Sequence, residues 1–381
     1  KKKRNIKIKK NQWLSNYLDA TKHKNIDLIV ELIGGAEGPA KKLVFEALKN
    51  KKHVVTANKA LIAKYGDQLS KIAEKNNVNL EFEAAVCGGV PIIRSLKEGL
   101  IANKISKVYG IFNGTSNYIL STMDKQDKSF DEVLHNAKNL GYAESNPSSD
   151  LNGDDVAAKL KILSSLCFNS FLNNNIYVEG IKNIDKQDIN NANKLGYKIK
   201  LLGYAEVLNN KIYQRVHPTL VKKSSYIASI DGVLNAVIVN GKPVGQSIIQ
   251  GEGAGPSATT SALVSDISSI LRGNIKFPFS LSNNERKNLN YDNVEERFFS
   301  AYIRFEVLDK PGVLSNITNA FSKNNVSIKR LVQDPNRNKK SSSIIIITHK
   351  SKDKFLNKII KEITKKIYIK RKPKLIRIDD N

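Results

Sequence analysis

The chain has 381 residues, long for one compact domain and enough for two or three domains with a sizeable core. Its hydrophobic fraction of 40% and charged fraction of 26% are those of a soluble globular protein, and no apolar run approaches the roughly 18 residues of a membrane helix. The net charge of +26 invites a polyanionic partner, but the lysines are spread through every segment without interleaved aromatic residues, which argues for a solvated basic surface and against nucleic-acid or membrane binding.

In chain order, residues 1–10 are basic like the start of a secretory leader, but the apolar segment that must follow one does not come. The first residue is Lys1 and the single methionine is Met123, so the chain is expected to lack its natural start. Residues 27–33 form a β-rich run closed by Gly34 and Gly35. A helix follows, with Leu43, Val44, Ala47 and Leu48 at helical spacing and Pro39 near its start. Residues 53–56 read as a second strand, 61–75 as a second helix and 79–86 as a third strand. This βαβαβ order is half of a doubly wound parallel sheet. The Gly-x-Gly-x-x-Gly turn that opens a dinucleotide-binding sheet does not precede Asp27, so the first βαβ unit is expected to have gone with the missing start.

Residues 91–273 mix helices (131–140, 154–167) with strands (107–112, 203–208, 235–239), an α+β pattern. Residues 277–296 carry Pro278, Ser280, Ser282 and several asparagines and read as a linker. Beyond it, strand 300–308, helix 312–324, strands 326–332 and 342–349, helix 354–367 and strand 375–378 give the βαββαβ order of a ferredoxin-like domain. The expected organisation is thus α/β: a partial Rossmann-type parallel sheet at 1–86, an α+β substrate domain at 87–275, a linker at 276–298 and a ferredoxin-like domain at 299–381. Two cysteines, Cys87 and Cys167, are too few for a disulfide framework or thiolate metal site, which makes a reducing cytoplasm the default.

Asn152, Gly153 and Asp154 make a helix start, with Val156, Leu160, Leu163 and Cys167 as its buried stripe. Asp155 and Lys159 are four apart on one face. An isolated pair of this kind is more often a surface salt bridge, but here the long, turn-rich loop from Gly141 brings Glu144 to the same helix mouth. Glu83, Val86, Gly88 and Val90 lie in a strand-to-turn segment whose carboxylate and carbonyl oxygens suit a hard cation; a plain glycine turn before a helix opened by Pro91 accounts for them equally well. Gly251, Gly253 and Gly255 lack the following glycine of a nucleotide fingerprint. Asp309-Lys310-Pro311-Gly312-Val313-Leu314 is a strand-to-helix turn in which Gly312 lets the backbone approach a ligand.

The run Gly141-Tyr142-Ala143-Glu144 through Asp150-Leu151-Asn152-Gly153-Asp154-Asp155-Val156-Ala157-Ala158-Lys159 resembles the signature of homoserine dehydrogenases. Thr56-Ala57-Asn58-Lys59, Glu83-Ala84-Ala85-Val86 with Gly88-Gly89-Val90-Pro91, Asn113-Gly114-Thr115-Ser116-Asn117-Tyr118, and Gly251-Glu252-Gly253-Ala254-Gly255 agree in order, so the resemblance covers nearly the whole chain. The turn at Asp309 resembles that of ACT domains. The resemblance implies interconversion of L-aspartate 4-semialdehyde and L-homoserine with NADP, or NAD, in threonine and methionine biosynthesis. It implies Lys159 as the proton donor and acceptor, and Glu144, Asp155 and Lys59 as substrate contacts. Ile33, Gly34, Lys59, Gly141 and Gly253 become cofactor contacts, and a sodium ion is implied at Glu83, Val86, Gly88 and Val90. The family's later Pro-Thr-Ala is here Ala258-Thr259-Thr260, with Pro256 ahead of it. Lys1 to Arg4 are candidate contacts to a 2′-phosphate, which favours NADP. L-threonine is the implied effector of the ACT domain, and a homodimer or homotetramer the implied assembly. The alternative from another class is a catalytically impaired fragment that acts as an amino-acid-binding ACT protein.

Overall fold

The computed structural model describes residues 9, 12–336 and 341–379. Lys1 to Arg4 therefore lie outside the described residues. The chain divides into two compact units: Lys1–Phe112 with Ala158–Asn174 and Asn235–Leu289, and Asn113–Ala157 with Asn175–Leu234 and Asn290–Asn381. None of the described helices is long and apolar enough to cross a membrane.

After a one-turn helix at Asp19–Lys22, the first unit contains β1 (Leu28–Glu31), α1 (Pro39–Lys49), β2 (His53–Thr56), α2 (Lys59–Asn76) and β3 (Leu80–Glu81). The strands form a parallel sheet in the order β1-β2-β3, with Glu31 beside Thr56 and Val55 beside Glu81. Pro39 is the first residue of α1, where its missing N–H costs nothing, and Ala40, Leu43, Val44, Ala47 and Leu48 make the buried face. The third strand is shorter than the expected 79–86. After Glu81 the chain enters a 3-10 turn at Glu83–Ala85 and then two left-handed residues, Cys87 and Gly88. The apolar run continues because it is buried, not because the ladder does: Phe82 is fully buried against Phe279, their ring centroids 5.4 Å apart.

The same unit contains β4 (Lys104–Ile111), antiparallel to β7 (Leu234–Lys242), which pairs with β8 (Gly245–Glu252); α7 (Pro256–Leu271) follows. The first part of the segment read as a linker, up to Leu289, belongs to this unit, and its remainder from Asn290 to the second. Arg286, buried within that first part, donates to Asp67 Oδ1 at 2.6 Å, to Ser165 Oγ at 2.9 Å and to the Ser170 carbonyl at 2.8 Å.

The second unit holds α3 (Gly114–Gln126), α4 (Phe130–Asn139), the first turn of α5 (Asp154–Cys167), α6 (Lys186–Lys194) and the long antiparallel pair β5 (Tyr197–Leu208) and β6 (Lys211–Lys222). Its C-terminal part is β9 (Phe298–Leu308), α8 (Val313–Lys323), β10 (Ile328–Asn336), β11 (Ser341–Thr348), α9 (Asp353–Thr364) and β12 (Lys374–Ile378). These strands run β10-β11-β9-β12, the ferredoxin-like order, and β12 continues in parallel onto β6 through Arg377 beside Thr219. Ile303, Phe305 and Val307 of β9 pack on Ile317, Phe321, Ile359 and Ile363 of the two helices. Beside that core, Arg304 of β9 is clamped to Asp188 of α6 at 2.8 Å and also reaches Asp185 and Glu306, so a buried cation is offset by several carboxylates.

Candidate active site

In the first unit, Glu31 and Thr56 meet at the last residue pair of β1 and β2, at the C-terminal edge where open α/β sheets hold ligands. The fully buried Glu31 carboxylate accepts the N–H groups of Ile33 at 2.7 Å and Gly34 at 2.9 Å, and the Thr56 hydroxyl at 2.6 Å. It thereby fixes the turn through Gly34 and Gly35, whose φ angles of 85° and 79° only glycine adopts cheaply. Asn58 accepts from Leu61 N–H to cap α2 and donates to the Gly35 carbonyl at 2.8 Å. Lys59 is the first residue of α2. Ile33 and Gly34 stand exposed at this edge, and a Cβ at Gly34 would meet no described atom within 4 Å. The sequence reading names Ile33, Gly34 and Lys59 here and carries Thr56 and Asn58 only within a motif; it does not single out Glu31, which with them shapes the turn.

Elsewhere in that unit, Glu83 is buried and its two carboxylate oxygens accept N–H from Ile93 at 2.8 Å and Arg94 at 2.7 Å. Burial, opposed by those two bonds, pushes its pKa up to about 7; burial and the nearby Glu81 raise Asp266 to about 6. Val86 and Val90 flank the tight turn at Cys87 and Gly88, and a side chain at Gly88 would collide with the Gly253 carbonyl at 2.6 Å. Gly253 in turn lies on the side-chain amide of Asn235, where a Cβ would meet Nδ2 at 2.2 Å. Asn235 is fully buried, and neither its Nδ2 nor its Oδ1 has a hydrogen-bond partner among the described residues. Both ends of this buried amide thus keep unused hydrogen-bonding capacity beside Gly253 among the described residues. The sequence signal that could have found Asn235 is its position at the start of β7, facing the glycine-rich segment.

Lys159, 8% exposed, donates from Nζ to the Phe112 carbonyl at 2.7 Å. In the second unit the next residue, Asn113, caps α3 through Oδ1 and donates from Nδ2 to Asp155 Oδ2 at 2.9 Å and Asp150 Oδ1 at 2.8 Å. Asp155 is 3% exposed, and with Asp154 it places negative charge in the first turn of α5, where the helix dipole favours it. Gly153, left-handed at φ 91°, turns the chain into that helix. Asp155 and Lys159 are thus one turn apart on α5, each held by its own anchor. The structure joins Asp150 to the Asp155 group through Asn113. Glu144 stands exposed on the loop after Gly141 and makes no hydrogen bond or ion pair among the described residues. That loop is held by Thr115 Oγ1, which donates to the Tyr142 carbonyl at 2.7 Å, and by Tyr142 against Tyr118.

At the C-terminal turn, Asp309, Lys310, Pro311, Gly312 and Leu314 line a cavity of about 480 Å³ with Gln333 and Ile344. Gly312, at φ 84°, precedes α8.

A turn at the C-terminal edge of a parallel sheet, a helix that carries a buried lysine and a buried carboxylate, and a ferredoxin-like C-terminal domain define a multidomain α/β protein. Comparison with known proteins supplies the rest: residues 1–83 match the NAD-binding domain of homoserine dehydrogenase, 91–268 match homoserine dehydrogenase, and 301–367 match the ACT domain. A homoserine dehydrogenase of Neisseria gonorrhoeae is 42% identical over 347 residues, 89% of this chain and 80% of that protein. The crystal structure of a homoserine dehydrogenase from Thiobacillus denitrificans is similar with a TM-score of 0.90 and 40% identity, covering 96% of this chain and 85% of that one. A hyperthermophilic archaeal homoserine dehydrogenase in complex with NADPH is similar with a TM-score of 0.62 and 26% identity, over 70% of this chain and 77% of that one. The chain belongs to the homoserine dehydrogenase family, oxidoreductases that act on a CH–OH group with a nicotinamide nucleotide.

Proposed function

We propose that the chain interconverts L-homoserine and L-aspartate 4-semialdehyde with Lys159 as the group that moves the proton. The observation that carries this is a buried lysine held at a backbone carbonyl by its Nζ, on the helix whose first turn carries the buried Asp155. When bound, the nicotinamide nucleotide supplies or accepts the hydride. Lys159 gives a proton to the oxygen of the aldehyde as it becomes an alkoxide, and takes it back in the oxidative direction. Asp155, with Asp150 through Asn113, holds the substrate's α-ammonium group, and Glu144 reaches it from the loop when substrate is present. Lys59 contacts cofactor and substrate from the start of α2.

Ile33, Gly34, Gly141 and Gly253 line the nucleotide, and the unpaired amide of Asn235 supports a polar cofactor group beside Gly253. NADP is the favoured nucleotide; the NADPH complex of the archaeal relative supports that choice. A sodium ion suits the Glu83 carboxylate with the carbonyl oxygens of Val86, Gly88 and Val90. The support is a buried carboxylate at a tight glycine turn. L-Threonine is the proposed effector at the cavity beside Gly312, and a homodimer or homotetramer the proposed assembly. The buried cysteines Cys87 and Cys167 suit a reducing cytoplasm. Domain boundaries at 86, 275 and 298 follow the same reading. The test is homoserine oxidation by the purified chain with NADP and with NAD, with and without sodium and threonine. Absence of reduction of either nucleotide would leave the amino-acid-binding alternative standing.

A further inference from the structure

We infer that the second unit carries a binding site for a small organic carboxylate, centred on Arg215 and Tyr213 of β6. A cavity of about 460 Å³ lies where β5 and β6 meet the start of β9, lined among others by Tyr204, Tyr213, Arg215, Arg297, Phe298 and Phe299. Arg215 is 5% exposed and its guanidinium is stacked between the rings of Tyr204 and Phe299, at 4.6 and 4.8 Å from their centroids. Its Nη1 faces Nε2 of His217, whose Nδ1 lies 2.9 Å from the Pro218 carbonyl. The ring is therefore neutral, with the proton on Nδ1 donated to that carbonyl and the lone pair of Nε2 turned to the arginine. His217 supplies no negative charge.

The other arginines of this region are paired: Arg297 with Glu206 and Asp292, Arg377 with Asp353 and Glu179. Arg215 has no carboxylate oxygen within 4.0 Å among the described residues, and its Nε has no hydrogen-bond partner. Tyr213, 2% exposed, likewise has a hydroxyl without a partner. A buried guanidinium is tolerated when an anion completes it, and its fork matches the two oxygens of a carboxylate. Of the acids on the rim, Glu206 and Asp292 are engaged by Arg297 and Glu296 by Lys352 and Lys354; the fourth, Asp379, lies beyond 4.0 Å of Arg215 and has a partner of its own. Among the described residues no anion completes Arg215, and the aromatic walls favour an external one with a short hydrocarbon body. None of the residues given a role above belongs to this site.

The test is thermal unfolding of the full chain at constant ionic strength with sodium isobutyrate, sodium chloride or isopropylammonium chloride. Saturating isobutyrate is expected to raise Tm by about 3 °C relative to both chloride salts. Arg215→Met is expected to unfold at or above the parent's ligand-free Tm, because it removes an unpaired buried charge, and to lose the isobutyrate response. Should that variant not fold, Tyr213→Phe, which keeps the ring, is expected to bind isobutyrate about tenfold more weakly. An equal rise with chloride, an undiminished response in Arg215→Met or Tyr213→Phe, or no response in the parent would overturn the site.

Discussion

Replacing Lys159 by methionine separates proton transfer from everything else this residue does. Methionine keeps most of the apolar stem that the 8% exposure shows to be packed, and removes only the ammonium. Two losses follow. The Phe112 carbonyl loses its 2.7 Å donor, which costs about 1–3 kcal/mol of stability if no water replaces it. The reacting oxygen loses its proton source, worth about 10²–10⁴ in rate, or roughly 3–5 kcal/mol at the transition state. Turnover and kcat/KM for homoserine should therefore fall together by that factor while the Kd of the nucleotide, measured by fluorescence titration, stays within about twofold. Lys159→Arg sharpens the test, because arginine keeps the positive charge but holds its proton too tightly to deliver it near neutral pH. Steady-state and single-turnover reduction of the nucleotide are the assays. If either variant retained a rate within tenfold of the parent, Lys159 would be an electrostatic or structural residue and the assignment would be wrong.

Three further outcomes are expected. Asn113→Ala removes the donor shared by Asp150 and Asp155; hydrogen bonds to charged groups of about 1.5–3 kcal/mol predict a KM for homoserine at least tenfold higher, and an unchanged KM would separate these carboxylates from substrate binding. Glu31→Ala leaves two amides and the Thr56 hydroxyl without their acceptor, so thermal unfolding should show a loss of about 3 kcal/mol and nucleotide affinity should fall; undiminished affinity would detach the Gly34 turn from the cofactor. His217 is held well below its ordinary pKa by burial and by Arg215 and Arg377, so below about pH 6.5 the unfolded chain takes up a proton that the native state refuses. Stability should drop by about 1.4 kcal/mol per pH unit from this group, and denaturant titrations between pH 7 and pH 5 should show His217→Gln losing less than the parent.

Elements whose physics is local were legible without coordinates. The helix at 154–167 follows from a left-handed glycine, acidic residues in the first turn and an apolar stripe, and its bounds in the structure are those expected. The βαββαβ order of the C-terminal domain follows from periodicities within each segment and turn residues between them. Lys211–Lys222 was passed over because alternation is absent: Ile212 to Val221 is buried throughout and includes Gln214, Arg215 and His217, which read as surface residues until their partners are seen. The opposite error at 79–86 has the same root, since an apolar run reports burial and not a ladder.

The sequence by itself determined the chemistry available near Lys159, because Asp155 and Lys159 share a helix and their spacing is set by its pitch. Only the tertiary structure decided which groups hold them. Asn113 reaches Asp155 across 42 positions, Glu31 reaches Thr56 across 25, and Asn235 meets Gly253 across the β7–β8 hairpin. It also decided that Asn113 ties Asp150 to Asp155, and that Arg215 is buried with no carboxylate within 4.0 Å among the described residues. The reason is physical: a helix or turn is specified by neighbours a few residues away, whereas hydrogen-bond satisfaction depends on what folding brings from far along the chain.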